Sequence, residues 1–145
     1  MTENTTAAKI VLGIILFLSI AHTGALTGIG WHVLKSDDTC RESLHSYVNA
    51  ITIGATVQLV MYLAALCALI LCCSDNVSTF VSGAVFILTT LVGNILNLIW
   101  FIWGIVLLAN HQCEGTIYNT FAIVFVVLSG LGVVGNLCAS RAKGA

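Results

Sequence analysis

The chain has 145 residues, of which 59% are hydrophobic and only 8% are charged, and its formal net charge is −1. This composition lies far outside that of a soluble domain, so lipid must be the solvent for most of the chain. A nearly neutral chain without a basic patch is excluded as a nucleic-acid-binding protein. We therefore expect an integral membrane protein with almost nothing outside the bilayer.

Four apolar segments occupy nearly the whole sequence. A hydrocarbon core about 30 Å thick requires about 20 apolar residues in helical form, because unpaired backbone groups are too costly there for any open alternative. The sequence predicts an all-α integral membrane four-helix bundle, a tetraspan. It forms a single transmembrane domain over residues 1–145, with approximate spans at 10–31, 48–72, 80–109 and 117–137. The third segment exceeds the length of a straight span, so we expect it to tilt or to project beyond the headgroups.

The first apolar segment has a competing interpretation. Lys9 and the apolar run that follows it resemble a cleavable signal peptide. The apolar stretch continues as far as Ile29, which favours an uncleaved span. Gly24 and Gly28 in its second half form a Gly-x-x-x-Gly pattern that permits close approach of another helix.

The loops after the first and third spans each contain one cysteine, Cys40 and Cys113. In a four-span topology these two loops face the same aqueous compartment, whichever way the protein inserts. If that compartment is extracellular or lumenal, a Cys40–Cys113 disulfide is chemically allowed. The alternative is two free thiols whose loops never meet.

The third span contains the most specific intramembrane feature, a set of polar residues at helical spacing. Asn94 and Asn97 are three residues apart and Thr90 lies four before Asn94, so all three project from similar sides of one helix. Together with Gln58 of the second span they form what we call the polar face. One interpretation is a hydrogen-bonded bundle core with Gln58 and Thr23 as partners; the other is the lining of a pore or polar solute path. No Asp, Glu, Lys or Arg lies deep in a span, which argues against a proton relay or an ion-coupled transporter.

Aromatic residues gather near the predicted outer boundary of the membrane. Trp31, Tyr47 and Tyr118 suit an interfacial belt. Trp100 and Trp103 lie slightly deeper, and we interpret them as packing residues or depth anchors rather than as a ligand cage.

The fourth span contains a second face of small residues, which includes Gly130, Gly132 and Gly135. This face and the Gly24–Gly28 pair are candidate helix-packing seams. Either could lie within the bundle or between protomers, and we favour the intramolecular interpretation because a four-span bundle has to form its own seams first.

The remaining cysteines lie toward the other side of the membrane. Cys72, Cys73 and Cys138 stand at span ends and are candidates for reversible palmitoylation, whereas Cys67 is expected to be an ordinary packing residue. The adjacent Cys72 and Cys73 lack metal-ligand spacing and no histidine belongs to that side, so we expect no metal site and no cofactor.

Only five Lys and Arg residues are available to the positive-inside rule. Lys9, Arg141 and Lys143 lie on one side, and Lys35 and Arg41 lie opposite. We therefore expect both termini in the cytoplasm and the protein in the plasma membrane or the secretory pathway.

A family resemblance rests on three elements that occur in order along the chain. Asp-Asp-Thr-Cys at 37–40 is followed by Tyr47, Asn-Leu-Ile-Trp-Phe-Ile-Trp-Gly stands at 97–104, and Cys113 is followed by Tyr118 within Cys-Glu-Gly-Thr-Ile-Tyr-Asn-Thr-Phe-Ala. The ordered set resembles the small four-span proteins described as transmembrane protein 272-like. The chain departs from them in having no proline after Cys40. The resemblance implies a tetraspan architecture and paired outer-loop cysteines, and it carries over no catalytic residue.

Three classes of function follow from these patterns. We expect a non-enzymatic membrane-organising or accessory subunit that packs laterally in the lipid, either as a homo-oligomer or beside a larger membrane protein. The alternative is a homo-oligomeric channel lined by the polar face of the third span. An enzyme is the least favoured class, because the candidate Ser, His and acidic side chains are scattered between opposite sides of the membrane and cannot make one catalytic site.

Overall fold

The computed structural model describes residues 2–36, 42–71, 75–110 and 116–144. Within them every regular element is an α-helix: α1 (Thr2–Leu34), α2 (Glu42–Leu71), α3 (Asp75–Ala109) and α4 (Ile117–Gly144). The predicted all-α four-helix bundle is confirmed. Since the chain has no proline, no helix is interrupted by a missing backbone donor.

The helices are longer than the apolar segments that predict them. They contain 33, 30, 35 and 28 residues in chain order, which correspond to lengths of about 42 to 53 Å. The hydrocarbon core is only about 30 Å thick, so polar residues at the helix ends continue the helices beyond it. All four are long and apolar enough to cross a membrane. The longest helix is α3, as the length of the third apolar segment predicts.

Two helix ends show how the unpaired backbone groups are satisfied. Beyond α1, the Ser36 side chain and backbone N–H both donate to the carbonyl of Val33, at 2.7 and 3.1 Å. Before α4, the hydroxyl of Thr116 accepts a hydrogen bond from the backbone N–H of Asn119 at 3.3 Å, which is an N-cap contact.

Large apolar side chains cover the outside of the helices. Phe17, Leu71 and Phe80 are 66%, 77% and 77% exposed, and many Ile, Leu and Val side chains are also exposed. An apolar surface of this extent would drive aggregation in water, whereas it matches the hydrocarbon of a bilayer. The four helices therefore indicate a multi-pass membrane protein.

The chain divides into two compact units. The first unit contains residues 1–29 and 52–93, from α1, α2 and α3. Its apolar core consists of Leu16, Tyr62, Ala65 and Leu69, with Leu12, Ile20, Leu66, Val85 and Phe86 packed around it.

The second unit contains residues 30–51 and 94–145, and so includes all of α4. Its core is rich in aromatic side chains. Buried members include Tyr47, Trp100, Tyr118, Phe121 and Phe125, of which Phe121 and Phe125 stack with ring centroids 6.3 Å apart.

Candidate functional site

The polar face begins in the first unit with an amide packed against a glycine. Gln58 of α2 is half-buried, and its side-chain amide lies where a Cβ atom at Gly93 of α3 would stand. A glycine at position 93 leaves the room that the amide occupies. Gln58 is a predicted member of the polar face, whereas Gly93 belongs to no Gly-x-x-x-Gly pattern and its close contact could not be predicted from the sequence.

Two further polar contacts join α2 and α3 in the first unit. The hydroxyls of Tyr62 and Thr90 are 3.3 Å apart at hydrogen-bonding distance. The buried hydroxyl of Ser82 donates to the carbonyl of Ala65 at 2.8 Å. Interhelical hydrogen bonds of this kind hold helices together in lipid, where apolar side chains gain little by leaving the hydrocarbon for one another. We call Gln58, Tyr62, Thr90 and Gly93 the Gln58 cluster.

In the second unit, Asn97 is hydrogen-bonded to α4. The Ser129 hydroxyl donates to the Asn97 side-chain oxygen at 3.0 Å, and Ser129 is buried. Gly132 lies on the same side of α4, since a Cβ there would be 3.9 Å from the Asn97 amide nitrogen. Asn97 thus helps to hold α3 and α4 together.

A second contact of α3 in this unit centres on Tyr47 of α2. Its hydroxyl donates to the backbone carbonyl of Trp100 at 2.9 Å. The ring meets Trp103 and Phe125 edge-on, with centroids 5.1 and 6.3 Å away. A Cβ at Gly104 would overlap the Tyr47 hydroxyl and be 3.0 Å from the ring carbon that bears it. We call these five residues the Tyr47 cluster.

This arrangement corrects the prediction of an interfacial belt. Tyr47 is completely buried and Tyr118 is 2% exposed, so both rings face the protein interior rather than the membrane surface. Tyr118 also donates to the carbonyl of Leu34 at 3.5 Å. Trp31 is exposed, as a belt residue should be.

Asn94 and Thr23, the other two residues of the predicted polar network, make no hydrogen bond to another described helix. Asn94 is exposed, and no hydrogen bond joins its side chain to another described residue. Thr23 is buried, but its hydroxyl donates to the carbonyl of Ser19 in its own helix at 2.8 Å. The predicted role of Thr23 as a partner for the polar face is therefore wrong.

The five glycines predicted to form packing seams differ in how closely other atoms approach. A Cβ at Gly130 would be 3.0 Å from the ring of Phe101, and one at Gly24 would be 3.9 Å from Leu59. Gly28 and Gly135 have no such neighbour within 4 Å. Other atoms approach Gly93 and Gly104 more closely than any of these five, and neither was among the glycines predicted to form a packing seam.

The predicted cysteine sites lie mostly outside the described residues. This holds for Cys40, Cys113, Cys72 and Cys73. Cys138 is a free, exposed thiol near the end of α4, as S-acylation requires. Cys67 is also free and exposed, which contradicts its expected role in packing. Within the described ranges, no group of three or more His, Cys, Asp or Glu side chains could hold a metal ion.

Comparisons of the chain with protein-family models, with curated proteins and with solved structures gave no match.

Proposed function

We propose that this protein is a non-enzymatic membrane-organising or accessory subunit, which packs laterally with itself or with a larger membrane protein. The observation that supports the proposal is that most residues of the polar face contact neighbouring helices of the same chain. Thr90 and Asn97 are hydrogen-bonded to neighbouring helices of the same chain, and Gln58 is packed against Gly93. Three of its four members thus serve helix packing and are not free to line a water-filled path.

The size of the connections supports the same proposal. The helices are joined by residues 35–41, 72–74 and 110–116 alone. Segments of this length provide little surface for a catalytic constellation or an aqueous binding domain. The large surface that remains is the apolar exterior of the helices, and its natural partners are lipids and other transmembrane helices.

The alternative is the homo-oligomeric channel, which one observation favours. Asn94 presents an amide to the outside of the bundle. Several copies arranged in a ring could turn this amide toward a common centre, and polar side chains that face a water-filled cavity are the usual sign of a solute path in a membrane protein.

Reconstitution and imaging separate the two functions. We expect the purified chain in planar bilayers to show only background conductance. In polymer nanodiscs extracted from native membrane without detergent, we expect either a small closed assembly or a complex with a larger protein. A ring of copies around an open centre would contradict the proposal, if it came with a conductance that Asn94→Leu removes and Asn97→Leu retains.

We also propose the membrane topology and the covalent state that the sequence favours. Both termini lie in the cytoplasm of a plasma-membrane or secretory-pathway protein, Cys40 and Cys113 form a disulfide, and Cys72, Cys73 and Cys138 carry palmitoyl groups. Non-reducing mass spectrometry should then find one peptide that joins Cys40 to Cys113. Finding both thiols free after trapping in intact cells would reject the bridge and weaken the resemblance to the transmembrane protein 272-like family.

A further inference from the structure

Asn94 occupies an unusual position for an amide side chain. It lies near the midpoint of the apolar segment Asn76–Ala109 and is exposed on the surface of α3. Its neighbours on that surface are Leu91, Ile95 and Leu98, which are 58%, 57% and 46% exposed. The amide therefore interrupts an aliphatic surface at a depth where the surrounding solvent is hydrocarbon.

An amide in this environment is costly unless another group pairs with it. Hydrocarbon offers no donor or acceptor, and lipid headgroups are about 15 Å away from the bilayer centre. Asn97, one turn further along, has its partner in Ser129. Asn94 has none among the described residues, so a group from outside this chain is the natural candidate.

We propose that this group is Asn94 of a second copy, and that α3 forms the contact of a symmetric dimer. Copies inserted in the same orientation carry α3 at the same depth and in the same direction. A two-fold axis along the membrane normal then brings a residue of α3 opposite itself. An asparagine amide both donates and accepts. Two Asn94 side chains on that axis therefore satisfy each other through two reciprocal N–H···O bonds.

The apolar residues around Asn94 have the spacing that such a contact needs. Asn94 itself belongs to a run of residues that recur at alternating intervals of four and three along α3: Ile87, Leu91, Asn94, Leu98, Phe101 and Ile105. All of them are exposed except Phe101, which is half-buried. This is the repeat with which two parallel helices interlock, and Asn94 occupies one of its central positions. In lipid the aliphatic residues add shape complementarity, whereas the amide pair adds the interaction that lipid cannot replace. The inference rests on the proposed lateral packing and names the surface and the partner for it.

The dimer can be tested by counting copies in lipid vesicles. The full chain, labelled once per copy, is diluted into vesicles over a range of protein-to-lipid ratios, and the fraction of dimers is read from photobleaching steps. We expect Asn94→Leu to weaken dimerisation about 5- to 30-fold, as the loss of a hydrogen bond in lipid implies. Asn94→Gln keeps an amide and should retain most of the affinity. Asn97→Leu is the matched control; it should lower the stability of the chain and leave the dimer fraction unchanged.

A second measurement leaves Asn94 itself unchanged. A photocrosslinking residue at position 91 of α3 should capture a second copy, whereas one at position 60, equally exposed on α2, should not. Crosslinks of equal yield at both positions would overturn the inference, and so would a dimer unaffected by Asn94→Leu or a chain that stays monomeric at every density. A monomeric chain found in native nanodiscs beside a larger protein would leave the proposed function standing. A conducting ring would overturn the proposed function itself.

Discussion

Two tyrosines of α2 reach α3 in different ways: Tyr47 packs against Gly104, and Tyr62 meets Thr90, three residues before Gly93. Tyr47, in the second unit, is fully buried and donates to a backbone carbonyl at 2.9 Å. Tyr62, in the first unit, is 7% exposed and meets the hydroxyl of Thr90 at 3.3 Å. The Tyr47 cluster is built of rigid aromatic rings, whereas the Gln58 cluster is built of hydroxyls and one long amide.

Gly104 and Gly93, the α3 glycines of the two clusters, show what this difference means for helix packing. A Cβ at Gly104 would overlap the Tyr47 hydroxyl and approach Val126 at 2.5 Å. A Cβ at Gly93 would overlap only the end of the Gln58 side chain. An aromatic ring packed edge-on between other rings cannot move without moving them, but a glutamine amide has several rotatable bonds. A helical glycine is therefore indispensable only where the neighbour that fills its space is rigid.

The largest effect is expected for Gly104→Ala. The added methyl group must displace both the Tyr47 ring and Val126, and overpacking of this kind costs about 1–3 kcal/mol of unfolding free energy. Gly28→Ala is the matched control, because a Cβ there meets nothing within 4 Å. Reversible unfolding in bicelles measures both. Equal stabilities of the two variants would show that the Tyr47 cluster is not tightly packed.

The tyrosine hydroxyls provide the next comparison. Tyr47→Phe removes a short hydrogen bond from a buried group and should cost about 1 kcal/mol. Tyr62→Phe removes a longer contact between two hydroxyls, and we expect about half that loss, near the average for interhelical hydrogen bonds in membranes. The same unfolding assay ranks the two variants. If Tyr62→Phe is the more damaging, the hydroxyl contact with Thr90 holds its helices more firmly than the shorter bond from Tyr47 to the Trp100 carbonyl does.

The sequence predicts the number and type of the helices because lipid imposes one rule on every backbone group. It does not predict the helix ends. Polar residues such as those at positions 2–9 remain helical beyond the core, and the apolar pattern carries no signal for them. Helix spacing also predicts that Asn94 and Asn97 project from similar sides of α3.

That spacing cannot show which of the two asparagines faces the interior of the bundle and which faces the lipid. In a soluble protein the polar side of a helix faces water, but here both the interior and the lipid are apolar. The contact with Ser129 places Asn97 inside, and nothing in the pattern could reveal it. Likewise, the Gly24 and Gly28 pattern shows where a helix could approach closely, whereas Gly104 is tight because Tyr47 happens to lie opposite it.

The smallest effect is expected for Gly93→Ala. Alanine is a better helix former than glycine by about 1 kcal/mol, and the Gln58 amide must turn aside to admit the methyl group. Because these terms oppose each other, the unfolding free energy should change by less than about 0.5 kcal/mol, within the range of ordinary surface substitutions. A double-mutant cycle with Gln58→Ala isolates the amide: if Gln58 adapts freely, the coupling energy between positions 58 and 93 stays below about 0.5 kcal/mol. A coupling energy above about 1 kcal/mol would mean that hydrogen bonds hold the Gln58 amide in place. The Gln58 cluster would then be as rigid as the Tyr47 cluster, and the distinction between rigid and yielding neighbours would not explain the two glycines.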